Sequence, residues 1–199
     1  MVQLENISYI VAGRKIINDL SYKFNTGIYI LQGESGIGKT TILNIIAGYI
    51  KATAGFIKIP ENYGVSYMFQ EDMLFHNITV AENFYIKLNA KNDNGNYQDN
   101  IEVYCRMFGI EDKLNSLVSC LSGGEKKRVQ LAMLAMDNND IILLDEPLAN
   151  LDSENSRVIM DYLRMLTDKL IIIVSHQFVN NVDENCKLLE LRNGKIYEK

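Results

Sequence analysis

Two kinds of hydrophobic pattern run along the chain. Continuous apolar runs at Ile28-Tyr29-Ile30-Leu31, Ile141-Ile142-Leu143-Leu144 and Leu170-Ile171-Ile172-Ile173-Val174 predict strands buried on both faces, the habit of a parallel sheet. Strict alternation predicts half-buried strands. It occurs where Leu20, Tyr22 and Phe24 alternate with Ser21 and Lys23, and where Val65, Tyr67 and Phe69 alternate with Ser66, Met68 and Gln70. A further strand is expected around Val2–Tyr9, with a turn at Ala12-Gly13-Arg14. Gly55–Ile59 reads as a short strand ended by Pro60. The chain closes on a hairpin of Lys187–Leu191, Asn193-Gly194 and Lys195–Tyr197.

Helical spacing fills the intervals. Between Thr40 and Ala47, Ile42, Ile45 and Ile46 share a face, and Gly48 is a stop. After Thr79, Val80, Phe84 and Leu88 recur every four residues. Further helices are expected over about 97–108 (Ile101, Tyr104, Cys105 and Phe108 inward), from Gly123 to about Asp137, and over 153–166 with Val158, Tyr162 and Met165 inward. The polar stretch Lys91–Asn96 is expected to be a flexible loop. Apolar strands separated by helices predict an α/β fold with a mostly parallel sheet and an N-terminal antiparallel β part. The helical block 71–138 interrupts the alternation, so it is expected as a lobe inserted into a core of 1–70 and 139–199.

Composition narrows the class. With 199 residues, 47% apolar and 23% charged, the chain suits one soluble globular domain. Its longest apolar run, Leu131–Met136, falls far short of the ~18 residues of a membrane span. Glu5 and Asn6 interrupt any signal segment. A cytoplasmic protein that reaches a membrane only through a partner is therefore expected. The net charge of −5 argues against a nucleic-acid partner. Cys105, Cys120 and Cys186 are too far apart for a metal-ligand pattern and read as reduced structural thiols.

The chemistry centres on Gly33-Glu34-Ser35-Gly36-Ile37-Gly38-Lys39-Thr40, followed by Thr41. It matches the G-x-x-x-x-G-K-[ST] phosphate-binding loop, with a strand before it and a helix after it, as the motif requires. The glycines let backbone N–H groups curl around a polyphosphate, and the helix N-terminus adds partial positive charge. Lys39 is expected on the β- and γ-phosphates of ATP, and Thr40 on Mg²⁺. Downstream, Ile141–Leu144 ends in Asp145-Glu146. Asp145 is expected to hold Mg²⁺, and Glu146 to orient the attacking water or accept its proton. Leu121-Ser122-Gly123-Gly124-Glu125 reads as a capped helix start with Glu125 closing a capping box. Two glycines in a first turn cost ~1 kcal/mol each against alanine. That loss suits a backbone something must approach closely, a second anion site.

Leu121–Glu125 resembles the signature motif of ABC ATPases. Gly33–Thr40, Gln70, Ile141–Glu146, Ala149-Asn150-Leu151-Asp152 and Ser175-His176 stand in that family's order, so the resemblance spans essentially the whole chain and implies a phosphate-loop NTPase core. It implies that Gln70 is the glutamine sensing metal and water, that Ser122 and Gly124 contact the γ-phosphate on an opposite subunit, that Asp152 communicates across a dimer, and that His176 is the switch histidine. Two ATPs would be sandwiched head-to-tail between two nucleotide-binding domains, and a separate transmembrane permease would be driven. His76 is expected at the surface or an interface. The segment Phe69–Phe75 with Asn77–Val80 is similar to small export-type ATPases, so export is expected over import, with a signalling or mechanotransmission ATPase as the alternative. The family's adenine-stacking aromatic aligns with Val11, leaving Val11, Tyr9 and Tyr29 as the residues near the base.

Overall fold

The computed structural model describes residues 1–90, 97–149, 151–176 and 186–199, the side chains of 97–100 excepted. The expected loop at 91–96 lies outside them. In chain order the elements are β1 (Val2–Val11), β2 (Arg14–Phe24), β3 (Gly27–Gln32), α1 (Lys39–Ile46), β4 (Ala54–Lys58), β5 (Val65–Met68), α2 (Val80–Ala90), α3 (Tyr97–Met107), α4 (Gly123–Ala135), β6 (Ile141–Asp145), α5 (Ser153–Met165), β7 (Leu170–Val174), β8 (Cys186–Arg192) and β9 (Lys195–Glu198). Among the described residues, no helix is long and apolar enough to cross a membrane.

The chain forms two compact units. The first holds Met1–Tyr67, Asn139–Ala149 and Tyr162–Lys199. Its six-stranded sheet runs β5-β6-β7-β3-β8-β9, with β6, β7, β3 and β8 in parallel register and β9 antiparallel to β8. Every residue of β6 and β7 is buried, which is why these strands read as unbroken apolar runs. A separate antiparallel sheet, β2-β1-β4, shares one core with α1 and the parallel strands through Leu20, Phe24, Tyr29, Ile42 and Leu143. The β1–β2 turn has Ala12 at φ 47° and Gly13 at φ 78°, the doubly positive pair of a two-residue hairpin. Strand β5 is covered on both faces: Val65 and Tyr67 are half-buried against the core, and Ser66 and Met68 are buried. Ser66 is tolerated inside because its hydroxyl accepts from Asn139 Nδ2 at 2.9 Å.

The second unit holds Met68–Asn138 and Asn150–Asp161, so residues 150–161 group with the helices rather than with the core expected for all of 139–199. Its interior is Val80, Phe84 and Leu88 of α2, Ile101 and Cys105 of α3 with Phe108, and Val129, Leu131 and Ala132 of α4; α4 packs on both α2 and α3. Burial pushes the Cys105 thiol up to about 12, in keeping with an inert thiol; Cys120 is exposed. Helix α5 corrects the expected face. Ile159, Met160, Tyr162 and Leu163 are buried, whereas Met165 is 71% exposed and Val158 36%. Phase along a short helix shifts easily when apolar residues are adjacent.

Candidate functional site

In the first unit, β3, β6 and β7 end side by side, Leu31 and Asp145 both lying in register with Val174. Three parallel strands therefore deliver the phosphate loop, the Asp145-Glu146 pair and Ser175-His176 to one edge of the sheet. Gly33 (φ 155°) and Gly38 (φ 114°) take conformations that L side chains rarely adopt. A Cβ on Gly33 would lie 2.8 Å from Leu191 O, and one on Gly38 2.8 Å from Ile16 Cγ2. Gly38 is the N-cap of α1 and supplies no side-chain cap. The first N–H groups of α1 are thereby left to a ligand.

Lys39 is 3% exposed. Its Nζ donates to Gly33 O at 2.7 Å and Glu34 O at 2.9 Å, and lies 3.1 Å from His176 Nδ1. An ammonium only donates, so Nδ1 accepts and the ring proton sits on Nε2, 3.4 Å from Glu146 Oε1. Burial holds Lys39 below the ordinary lysine range, opposed by Glu146 and Asp145. Burial raises the Glu146 carboxyl above the ordinary carboxylate range, with Asp145 adding to the rise and His176 and Lys39 opposing it. Glu146 also has φ 53°, a strained backbone costing about 1–3 kcal/mol; its N–H is held by Val174 O at 3.0 Å.

Two clefts flank the loop. One, of about 380 Å³, is walled by Tyr9, Val11, Ile16 and Ile50, with Gly36, Gly38, Lys39, Thr40 and Thr41 at its polar end. The other, of about 370 Å³, holds Gln32, Glu34, Ser35, His176, Glu190 and Lys199. The residues fit a nucleoside triphosphate with Mg²⁺. A bare helix start and a buried ammonium suit phosphate oxygens, and the Thr40 hydroxyl and buried Asp145 carboxylate are the hard oxygen donors Mg²⁺ prefers. Glu190 reaches the site through the β3–β8 pairing, which sets it against Gln32, and Lys199 through its backbone N–H on Leu188 O of β8 at 3.0 Å; no local pattern announces either. Tyr29 does not line the first cleft. It is 1% exposed, with its hydroxyl accepting from Asn25 N at 3.0 Å.

The other expected site residues, Gln70, Ser122, Gly123, Gly124 and Asp152, belong to the second unit. Gln70 is exposed, two residues past the end of β5. Ser122 caps α4 in a full capping box: its hydroxyl accepts from Glu125 N at 3.3 Å, and Glu125 Oε2 accepts from Ser122 N at 2.8 Å. A Cβ on Gly123 would meet nothing within 4 Å, and one on Gly124 only Leu151 Cδ2 at 3.1 Å. Neither glycine is required by its own backbone. The Asp152 carboxylate accepts from Asn155 N at 2.8 Å and so caps α5; Asn150, between Ala149 and Leu151, lies outside the described residues. His76 is exposed and pairs with Asp72.

Residues 17–149 match the family model described as ABC transporter. The chain belongs to that family. It is 33% identical to the molybdenum import ATP-binding protein ModC of Haemophilus ducreyi, over 85% of this chain and 52% of that protein. It is 27% identical to the spermidine/putrescine import ATP-binding protein PotA of Fusobacterium nucleatum, over 99% of this chain and 56% of that protein. This cassette thus spans about half the length of those two relatives. Against the thiamine import ATP-binding protein ThiQ of Histophilus somni the identity is 32%, over 91% of this chain and 90% of that protein. An ATP-binding cassette solved as a dimer, bound to ADP and Pi after hydrolysis, superimposes with a TM-score of 0.86 at 25% identity, over 100% of this chain and 98% of that one.

Proposed function

We propose that this cassette is the ATP-hydrolysing subunit of an ABC importer, acting with a second cassette and a separate membrane permease at the inner face of the cell membrane. The observation that carries it is the meeting of Lys39, Glu146 and His176 at one sheet edge beside Asp145. Import rests on the printed functions of the relatives named above, which replace the export lean of the segment after Gln70. Those relatives differ in cargo, so no cargo is assigned.

ATP would bring the phosphoanhydride bond, and Thr40 and Asp145 would hold a Mg²⁺ ion whose charge offsets that of the phosphate oxygens. Lys39 exchanges its loop carbonyls for phosphate oxygens. Glu146, with a carboxyl raised by burial, is the group to orient water and accept its proton, since a base is most effective near working pH. His176 turns its Nε2–H toward the γ-phosphate. Ser122, Gly123 and Gly124 of one copy complete the anion site of the other, since among the described residues no arginine lines the two clefts beside the loop. The base rests on the wall of Tyr9, Val11 and Ile16.

Phosphate release by the purified cassette tests this assignment. Glu146→Gln, whose amide cannot accept a proton, is expected to lower turnover about 10²–10³-fold while nucleotide binding persists and an ATP-bound dimer accumulates. Wild-type turnover in that variant would refute the role of Glu146. Uptake against efflux in vesicles carrying the co-purified permease decides direction.

A further inference from the structure

We infer that Asn155 is a positioning residue that clamps the start of α4 to the segment carrying Asp152, so that both present one rigid edge to a nucleotide held by a second copy of this chain. This rests on the proposed composite site, and it concerns contacts inside the second unit only. Gly124 and Arg128 are four residues apart and share one face of α4. That face meets the 151–155 segment twice. At Gly124, Leu151 Cδ2 comes within 3.1 Å of where a Cβ would stand. One turn later, Arg128 Nη1 donates to Asn155 Oδ1. Asn155 then turns its other amide atom on Asp152, with Nδ2 donating to Oδ2 at 2.7 Å, while its backbone N–H donates to Oδ1 at 2.8 Å. The acceptor of the Asn155 amide faces α4 and its donor faces Asp152.

The chemistry needs both functions of an amide. Arg128 can only donate and the Asp152 carboxylate can only accept, so the bridging side chain must accept on one end and donate on the other. Ser122 and Gly124 lie in an exposed or half-exposed first turn, whose own capping box fixes the helix start but not its direction relative to Asp152. The clamp fixes that direction. A displacement of about 1 Å in a group that orients a reacting phosphate costs up to ~10²-fold in rate.

The variant Asn155→Ala keeps the backbone N–H that caps α5 and raises helix propensity, so folding is retained and only the clamp is lost. Asn155→Asp keeps an acceptor for Arg128 but sets a carboxylate against Asp152, and is expected to behave likewise. Each is built into mixed dimers of differently tagged chains in which one chain also carries Lys39→Ala, leaving a single working phosphate loop. Placed on the Lys39→Ala chain, which supplies the opposing α4 edge, Asn155→Ala is expected to lower kcat by about 10- to 100-fold with KM for ATP unchanged. Placed on the other chain, it is expected to change kcat less than twofold. Equal loss in both placements, or loss in neither, overturns the positioning role. Gly124→Asp run in parallel separates the two ideas. If it shows the asymmetry and Asn155→Ala does not, the clamp is wrong and the composite site stands; if Gly124→Asp shows none, both fall.

Discussion

The phosphate loop in the first unit leads into a helix start with no side-chain cap, and the α4 start in the second carries a full capping box; both use glycine, yet they are built on opposite economies. Around the phosphate loop, Lys39, Asp145 and Glu146 are all buried to 4% exposure or less, the Glu146 carboxyl and the Lys39 ammonium are moved off their ordinary ranges by desolvation, and Glu146 holds a left-handed backbone. Around the α4 start, every shift runs the other way: the backbone N–H of Ser122 holds the Glu125 carboxyl below its ordinary range, and no glycine there has positive φ. A site where charge is transferred is kept dry at a cost in stability, because electrostatic preorganisation needs it. A surface that docks onto a charge carried elsewhere can stay locally stable.

The largest expected contrast is between glycines. Gly38→Ala places a Cβ 2.8 Å from Ile16 Cγ2 at φ 114° and should cost about 2–4 kcal/mol with loss of nucleotide binding. Gly123→Ala, with open space around its Cβ, should stabilise by up to ~1 kcal/mol. Urea unfolding of both decides, and similar losses would erase the contrast.

Within the first unit, the phosphate end is specifically built and the base end is not. Val11 is 46% exposed and offers no ring, so Val11→Tyr should tighten ATP by ~1–3 kcal/mol, and the wild type should barely distinguish ATP from GTP. The register shift between Tyr9 and Ile10 leaves Tyr9 on the same cleft wall. If Tyr9→Ala weakens ATP tenfold and Val11→Tyr changes nothing, Tyr9 is the platform.

The two glutamates sharpen the comparison through pH. Glu146 has a raised folded pKa, so the native state binds its proton more tightly and stability falls as pH rises from the unfolded value through the folded one. Glu146→Gln removes that cost. It should raise Tm at neutral pH by about 2–4 °C for each kcal/mol relieved, with the gain vanishing in acid. Glu125 has a depressed folded pKa, so it contributes stability above its unfolded value that is lost as pH falls through the folded one. Glu125→Gln should therefore lower Tm at neutral pH, and by less as pH falls toward the lowered folded value; scanning calorimetry at pH 4 and pH 7.5 reads both trends. Smallest is the cap itself: Ser122→Ala should cost ~1 kcal/mol by the same unfolding assay, without moving nucleotide affinity of the lone cassette.

Much of this was legible in the residues because it depends on neighbours in sequence. The buried strands, the phosphate loop with its flanking strand and helix, the Asn193-Gly194 turn with φ 53° and 73° and the Ser122–Glu125 box are all decided within a few positions of chain. Where adjacent apolar residues offered two phases, local reading chose the wrong one, as for Val158 and Met165 in α5. Tertiary structure alone decided what lies far apart in sequence. Parallel pairing of β3 with β7 and β8 brings His176 to Lys39 and Glu190 to Gln32, and helix packing brings Arg128 to Asn155 across 27 residues. The reason is physical. A turn or a cap is stabilised by bonds the local backbone makes to itself, whereas the ionisation of Glu146 and the direction of α4 are set by burial and by side chains that only the folded core assembles.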